Sequence, residues 1–145
     1  MLIIEPRVRH LLIEDALDTF PEECCGFLFG REEHDGTRIV LDILIVDNSK
    51  AGDKTRRFEI SPLDYMTAEQ HALDHDWTLL GIYHSHPKHP AIPSEHDRVA
   101  AQPYFSYLII SVPDSIDRAS IHFRSWLLND NRQFEEEKIS DLKLA

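Results

Sequence analysis

Residues 104–112, Tyr-Phe-Ser-Tyr-Leu-Ile-Ile-Ser-Val, run through nine positions without a charge, broken only by Ser106 and Ser111. A strand apolar on both sides belongs in the middle of a sheet that helices cover on both faces, so the rest of the chain must supply neighbouring strands and covering helices. Residues 25–30, Cys-Gly-Phe-Leu-Phe-Gly, read as a second buried strand, with a polar hairpin turn at 31–36 and a return strand at 37–46. Pro6 opens an amphipathic helix to about Thr19, on which Val8, Leu11, Leu12, Ala16 and Phe20 recur at helical spacing. A short strand is expected at 57–60. Ser61 and Pro62 then resemble a helix cap and first helical residue, with Leu63, Met66 and Leu73 sharing one face of a helix that ends near Asp76. A strand at 78–83 leads into His84-Ser85-His86, and a loop at 87–93 holds three of the chain's eight prolines. Ser94 caps a short helix that Pro103 ends. Residues 119–128 alternate as a half-exposed strand, and the charged segment 129–145 holds one more edge strand around Phe134. The expected architecture is a single α/β domain over 1–145, its core about 5–128, with a mixed sheet flanked by helices.

A chain of 145 residues buries roughly 68–70% of the surface it exposes unfolded, so its core needs neither disulfides nor a structural metal. A metal found here is free to be catalytic. The net charge of −11 argues against nucleic acid or an anionic membrane as partner, since both reward clustered Lys and Arg; the acidic excess reads as a soluble surface or as salt tolerance. Cys24 and Cys25 are adjacent and form no CxxC pair, which leaves no disulfide framework and no thiolate zinc site and fits a reducing cytoplasm. No signal-like or membrane-spanning stretch is visible in the sequence.

His84 and His86 stand two apart at a strand end, so their imidazoles point to one face. If Asp97, eleven residues after His86, swings back on the short helix, two imidazoles and a carboxylate can hold Zn2+ and leave a fourth position to water. Each piece also has a structural reading: nine histidines produce such pairs by chance, and Ser94-x-x-Asp97 resembles a capping box. Two other metal templates fit worse. A cupin would want an acid three or four residues after the histidines, where His89 and Pro90 stand, and the HxH barrel hydrolases need about 250 residues. His71 and His75 have a metal-binding spacing too, but no third ligand accompanies them, so they read as a solvated polar face.

His84-Ser-His86-Pro87 followed by Pro93-Ser94-Glu-His-Asp97 resembles the metal signature of the JAMM (MPN-plus) metalloproteases, and Glu23-Cys-Cys25-Gly26-Phe-Leu28-Phe-Gly30 resembles the family's upstream E-x-C-G-x-L-x-G element. The resemblance runs over most of residues 10–128 and points to a prokaryotic stand-alone member. It implies a cytidine-deaminase-like α/β fold, zinc held by His84, His86 and Asp97, Glu23 as general base, and Ser94 as donor to the oxyanion. Glu22 is the rival base; strand alternation would turn it away from Glu23. Cys25 reads as a small buried apolar residue, and His96 is a candidate to touch substrate.

The family resemblance further implies cleavage after the Gly-Gly tail of a small ubiquitin-like or sulfur-carrier protein, releasing an amino acid or short extension. Two alternatives stay open: an isopeptidase removing ubiquitin-like tags from lysines, and a non-catalytic MPN scaffold. Scaffold members have usually lost metal ligands, and all are present here. Oligomeric state is not legible.

Overall fold

The computed structural model describes residues 1–114 and 117–141; residues 142–145, the end of the charged segment, lie outside them. Eight strands form one sheet: β1 (Leu2–Ile4), β2 (Cys25–Glu32), β3 (Arg38–Val46), β4 (Thr78–Pro87), β5 (Ser106–Val112), β6 (His122–Leu128), β7 (Phe134–Glu137) and β8 (Ile139–Asp141). Their spatial order is β7-β6-β5-β4-β2-β3-β1-β8. The sheet is mixed: β4 lies parallel to β5 and antiparallel to β2. The apolar run at 104–112 supplies β5 only from Ser106 onward, with β4 on one side and β6 on the other; Tyr104, 62% exposed, and Phe105 belong to the turn that precedes it. Its two serines do not leave polar groups orphaned. Ser106 Oγ donates to Glu137 at 2.9 Å and Ser111 Oγ to the His89 carbonyl at 2.6 Å.

Strand alternation divides the core in two. Leu28, Leu80, Leu108 and Ile110 face helix α1 (Pro6–Thr19), which buries Val8, Leu12 and Ala16. Phe27, Phe29, Ile82 and Tyr107 face the other way, towards helix α2 (Pro62–Asp74). Here the structure departs from the sequence reading. Leu63, Met66 and Leu73 are 70%, 66% and 76% exposed, while Ala68 and Ala72 make the contact. The aromatic strand residues already fill the space under α2, and Tyr65 meets Phe27 edge-on with ring centroids 5.2 Å apart. A helix approaching such a surface fits with small residues inward.

Further differences have simple causes. Residues 57–60 form no ladder; Ser49 N–H donates to the Glu59 carbonyl and Asn48 Oδ1 accepts from Glu59 N–H, so one side chain replaces a strand partner. Residues 118–120 form a turn of 3-10 helix, which delays β6 to His122. Strands β1 and β8 are three residues each, too short to show a period. The close packing of β4 against β5 needs Gly81, where a Cβ would stand 1.9 Å from the Ser106 carbonyl oxygen.

Candidate active site

Along β4, Ile82, His84 and His86 face the α2 side, whereas Tyr83 and Ser85 face α1. The odd residues tie the strand down. Tyr83 Oη donates to Asp15 Oδ2 at 2.7 Å, and Ser85 Oγ accepts from Cys24 N–H at 2.8 Å. The even residues meet: His84 Nε2 and His86 Nε2 are 3.0 Å apart. Register pairs Cys25 with His84, so the chain entering β2 arrives beside the two imidazoles.

Helix α3 (Glu95–Ala100) brings Asp97 to the same point. Its start is a full capping box, with Ser94 Oγ accepting from Asp97 N–H at 3.0 Å and Asp97 Oδ2 accepting from Ser94 N–H at 2.9 Å. Oδ2 also lies 3.4 Å from Nε2 of both His84 and His86. Bonds of 2.0–2.1 Å to a tetrahedral ion would set donor separations of about 3.3–3.4 Å, so this nitrogen-nitrogen-oxygen triangle has the chemistry and size to hold zinc. Capping and ligation use the same carboxylate without conflict.

The electrostatics of the triangle favour positive charge. Burial pushes the His84 imidazole towards its neutral form, although Asp97 opposes this. His86 is also opposed by burial, yet Asp97, the Pro90 carbonyl and Glu23 carry its pKa above the usual value. Its Nδ1 lies 2.8 Å from the Pro90 carbonyl, and a proton there leaves Nε2 to face the triangle. Burial alone would raise the Asp97 carboxyl, but the adjoining His84, together with hydrogen bonds from His84, His86 and Ser94 N–H, holds it well below the usual carboxylate range. Phe58 stacks on His84 with centroids 4.4 Å apart.

Glu23 lies within reach of both imidazoles: its carboxylate and their ring nitrogens are all within 4.8 Å of one another. Its backbone is fixed by Glu23 N–H donating to the Lys54 carbonyl at 2.8 Å and by Asn48 Nδ2 donating to the Glu23 carbonyl at 3.2 Å. Burial raises the carboxyl to about 8, with Asp97 adding to the rise and His86 and Arg57 opposing it. Glu22 is exposed, as expected, but for a different reason. Both glutamates precede β2, Glu22 in a bend and Glu23 in irregular chain, so strand alternation is not what separates them.

Two cavities flank the triangle. The first, about 460 Å³, is lined by Glu23, His86, Ser94, His89, Arg56 and Arg57 among others. The second, about 270 Å³, is mostly apolar, with Phe58, Ile60, Tyr65, Ile82 and Tyr107 beside His84, His96 and Asp97. His96 therefore reaches a cavity wall. Arg56 and Arg57 were passed over in the sequence, where Arg57 began an expected strand; an adjacent cation pair in an acidic chain was the available signal. Cys24 and Cys25 are buried free thiols whose burial raises both pKa values, Cys25 to about 12, which excludes a ready thiolate. The His71 ring lies tilted against His75, with centroids 4.3 Å apart, and its Nε2 is 3.9 Å from Asp42.

A mixed sheet between helices, with this cluster at the end of its central strands, is the architecture of the JAB domain. The chain belongs to the family described as prokaryotic homologs of the JAB domain, which matches residues 5–129. It is 28% identical over 118 residues to a desampylase of Pyrococcus furiosus, covering 81% of this chain and 74% of that protein. A solved structure from Desulfitobacterium hafniense superposes with a TM-score of 0.86 at 29% identity, covering 99% of this chain and 94% of that one. A JAB1/MPN domain protein from Archaeoglobus fulgidus shares the fold at a TM-score of 0.58 and 17% identity, over 97% and 99% of the two chains. Family and relative together support a hydrolase. Among the described residues no helix is long and apolar enough to cross a membrane.

Proposed function

We propose that the chain is a zinc metallopeptidase that cleaves the amide bond after the C-terminal Gly-Gly tail of a small ubiquitin-like or sulfur-carrier protein. The observation that carries this reading is a donor triangle of 3.0, 3.4 and 3.4 Å beside a buried carboxyl raised to about 8. His84, His86 and Asp97 hold the ion, and zinc so bound would supply Lewis acidity, bringing the pKa of a water near 7.

Glu23 takes one proton from the attacking water and returns it to the departing amine. A carboxyl raised towards neutrality is suited to both directions, since it neither holds a proton too weakly nor keeps it too tightly. Ser94 accepts from Asp97 N–H, so its own hydroxyl proton remains free to donate to the oxygen that gains charge as the carbonyl is attacked. The cytoplasm suits two buried free thiols.

Similarity to a desampylase favours a second reading with the same chemistry, removal of a ubiquitin-like modifier from protein lysines. The test is to load the protein with zinc, offer ubiquitin-like proteins carrying C-terminal extensions or isopeptide-linked lysine peptides, and weigh the products. Cleavage after the terminal glycine that ceases in the metal-free protein is the expected result. Intact substrates with one bound zinc per chain would overturn the reading.

A further inference from the structure

The two cavities beside the donor triangle differ in charge. In a chain with 15 basic against 26 acidic residues, the first cavity carries Arg56 and Arg57 against a single acid, Glu23. Both arginines are exposed to solvent, and among the described residues neither makes an ion pair. Arg57 Nη1 donates to the Arg56 carbonyl at 3.1 Å, and Arg56 is near enough to Asp53 to favour its charged form, although Thr55 is that carboxylate's direct partner. The loop carrying the arginines is anchored to the site from both ends. Lys54 receives the Glu23 N–H, and Asn48 Nδ2 bonds both the Glu23 and the Arg57 carbonyls, at 3.2 and 3.0 Å.

This placement bears on one side of the scissile bond. Hydrolysis converts R–CO–NH–R′ and water into R–COO⁻ and H₃N⁺–R′: the carbon–nitrogen bond breaks, hydroxyl joins the carbonyl carbon, and protons end on the amine. The group that carries a proton to the nitrogen is Glu23, which lines the first cavity beside His86 and Ser94 and does not line the second; a third cavity that Glu23 also borders, among Asp15, Glu22 and Cys24, holds no member of the donor triangle. The leaving amine therefore occupies the cavity with the two guanidiniums. We propose that Arg56 and Arg57 receive a carboxylate carried by the leaving amine, so that the preferred substrate bears a free amino acid or short peptide with an open C-terminus after the tail. This rests on the hydrolase reading above and narrows its substrate. A lysine inside a folded target carries no free carboxylate near its reacting amine and forfeits the contact. Guanidinium pairs match carboxylates bidentately, which is why the cation needed here is Arg.

The experiment compares three substrates sharing one ubiquitin-like body: Gly-Gly-Ala ending in a free carboxylate, the same chain ending in a carboxamide, and Gly-Gly linked to the side chain of an internal lysine. The wild-type ratio of kcat/KM for acid over amide should be about tenfold or more, and should fall as salt is raised. Arg56→Gln/Arg57→Gln should bring it close to one, Arg57→Lys should give an intermediate value, and Arg31→Gln, the same charge change at the opposite end of β2, should leave it unchanged. Because both substrates depend on the same Glu23, the ratio cancels any effect of Arg57 on that carboxyl. A wild-type ratio near one, or an unaltered ratio in the double variant, overturns the proposal while leaving the hydrolase reading intact. If nothing is cut, the hydrolase reading fails. Affinities of Glu23→Gln protein for the acid and amide tails then decide separately: a preference for the acid that vanishes with both arginines replaced supports the carboxylate site, and equal affinities overturn it.

Discussion

The site has two walls of different construction. His84 and His86 belong to β4, hydrogen-bonded to strands on both sides and 1% and 7% exposed, whereas Glu23, Arg56, Arg57 and Ser94 stand on the connections between elements. The strand wall fixes distances by register; in the proposed reaction the connection wall would supply the proton carrier and the surface that meets a substrate. Sheets hold positions to fractions of an ångström, and loops tolerate change, so a site built this way can keep its donor geometry while its loops alter what it selects. Asp97 joins the two, since its α3 cap is a loop feature that completes the strand-borne triangle.

The largest effect should come from breaking that junction. Asp97→Ala removes one donor and one half of the capping box; zinc measured by emission spectroscopy should fall from one per chain towards none, and cleavage to background. Glu23→Gln should separate the walls, keeping full zinc while kcat drops by about 10²–10⁴-fold, with Glu22→Gln near wild type. Loss of zinc from Glu23→Gln would show that the base is also a ligand. Ser94→Ala should lower kcat by about 10²-fold or more, and the lost cap should cost about 1 kcal/mol in urea unfolding. An unchanged kcat with the same stability loss would reduce Ser94 to a cap.

The smallest effect concerns the metal-free protein. It should stay folded on chelation, as its core does not depend on the ion. Because the Glu23 carboxyl is raised from 4.5 to about 8 in the folded state, the folded chain binds its proton more tightly than the unfolded one. Its contribution to stability is complete below about pH 4.5 and is lost as pH rises to about 8. Melting of metal-free wild type across that interval should therefore decline relative to metal-free Glu23→Gln, which cannot titrate there. Parallel curves would contradict the raised carboxyl.

The sequence made the strand wall legible and the connection wall only partly so. Two histidines at strand spacing, a proline-stiffened loop and a capping serine announce their geometry locally, because alternation and helix capping are short-range rules. The α1 face was readable for the same reason: its apolar residues recur at helical spacing, and Val8, Leu12 and Ala16 are buried while Leu11 and Phe20 are partly covered. The α2 face was not, since burial there is decided by Phe27 and Phe29 on a strand more than thirty positions earlier, and spacing within the helix says nothing of them. Arg56 and Arg57 were hidden likewise. A loop's charge acquires meaning only when the fold sets it against Glu23, and Asn48, which does so, reads in sequence as an ordinary turn residue.

The register that seats Cys25 opposite His84 also governs how the parts find one another as the chain folds. The three donors of the triangle lie within 13 positions, between His84 and Asp97, while the contact that brings the Glu23 segment to β4 spans 61 residues, from Cys24 to Ser85. Closing the longer loop costs about 1.4 kcal/mol more in chain entropy, so in the unfolded ensemble the donors revisit each other about tenfold more often than they meet the base. Chain order thus makes the donor triangle a local property and its meeting with Glu23 a global one: a segment can assemble the donors early, but only the completed sheet sets them beside the carboxyl.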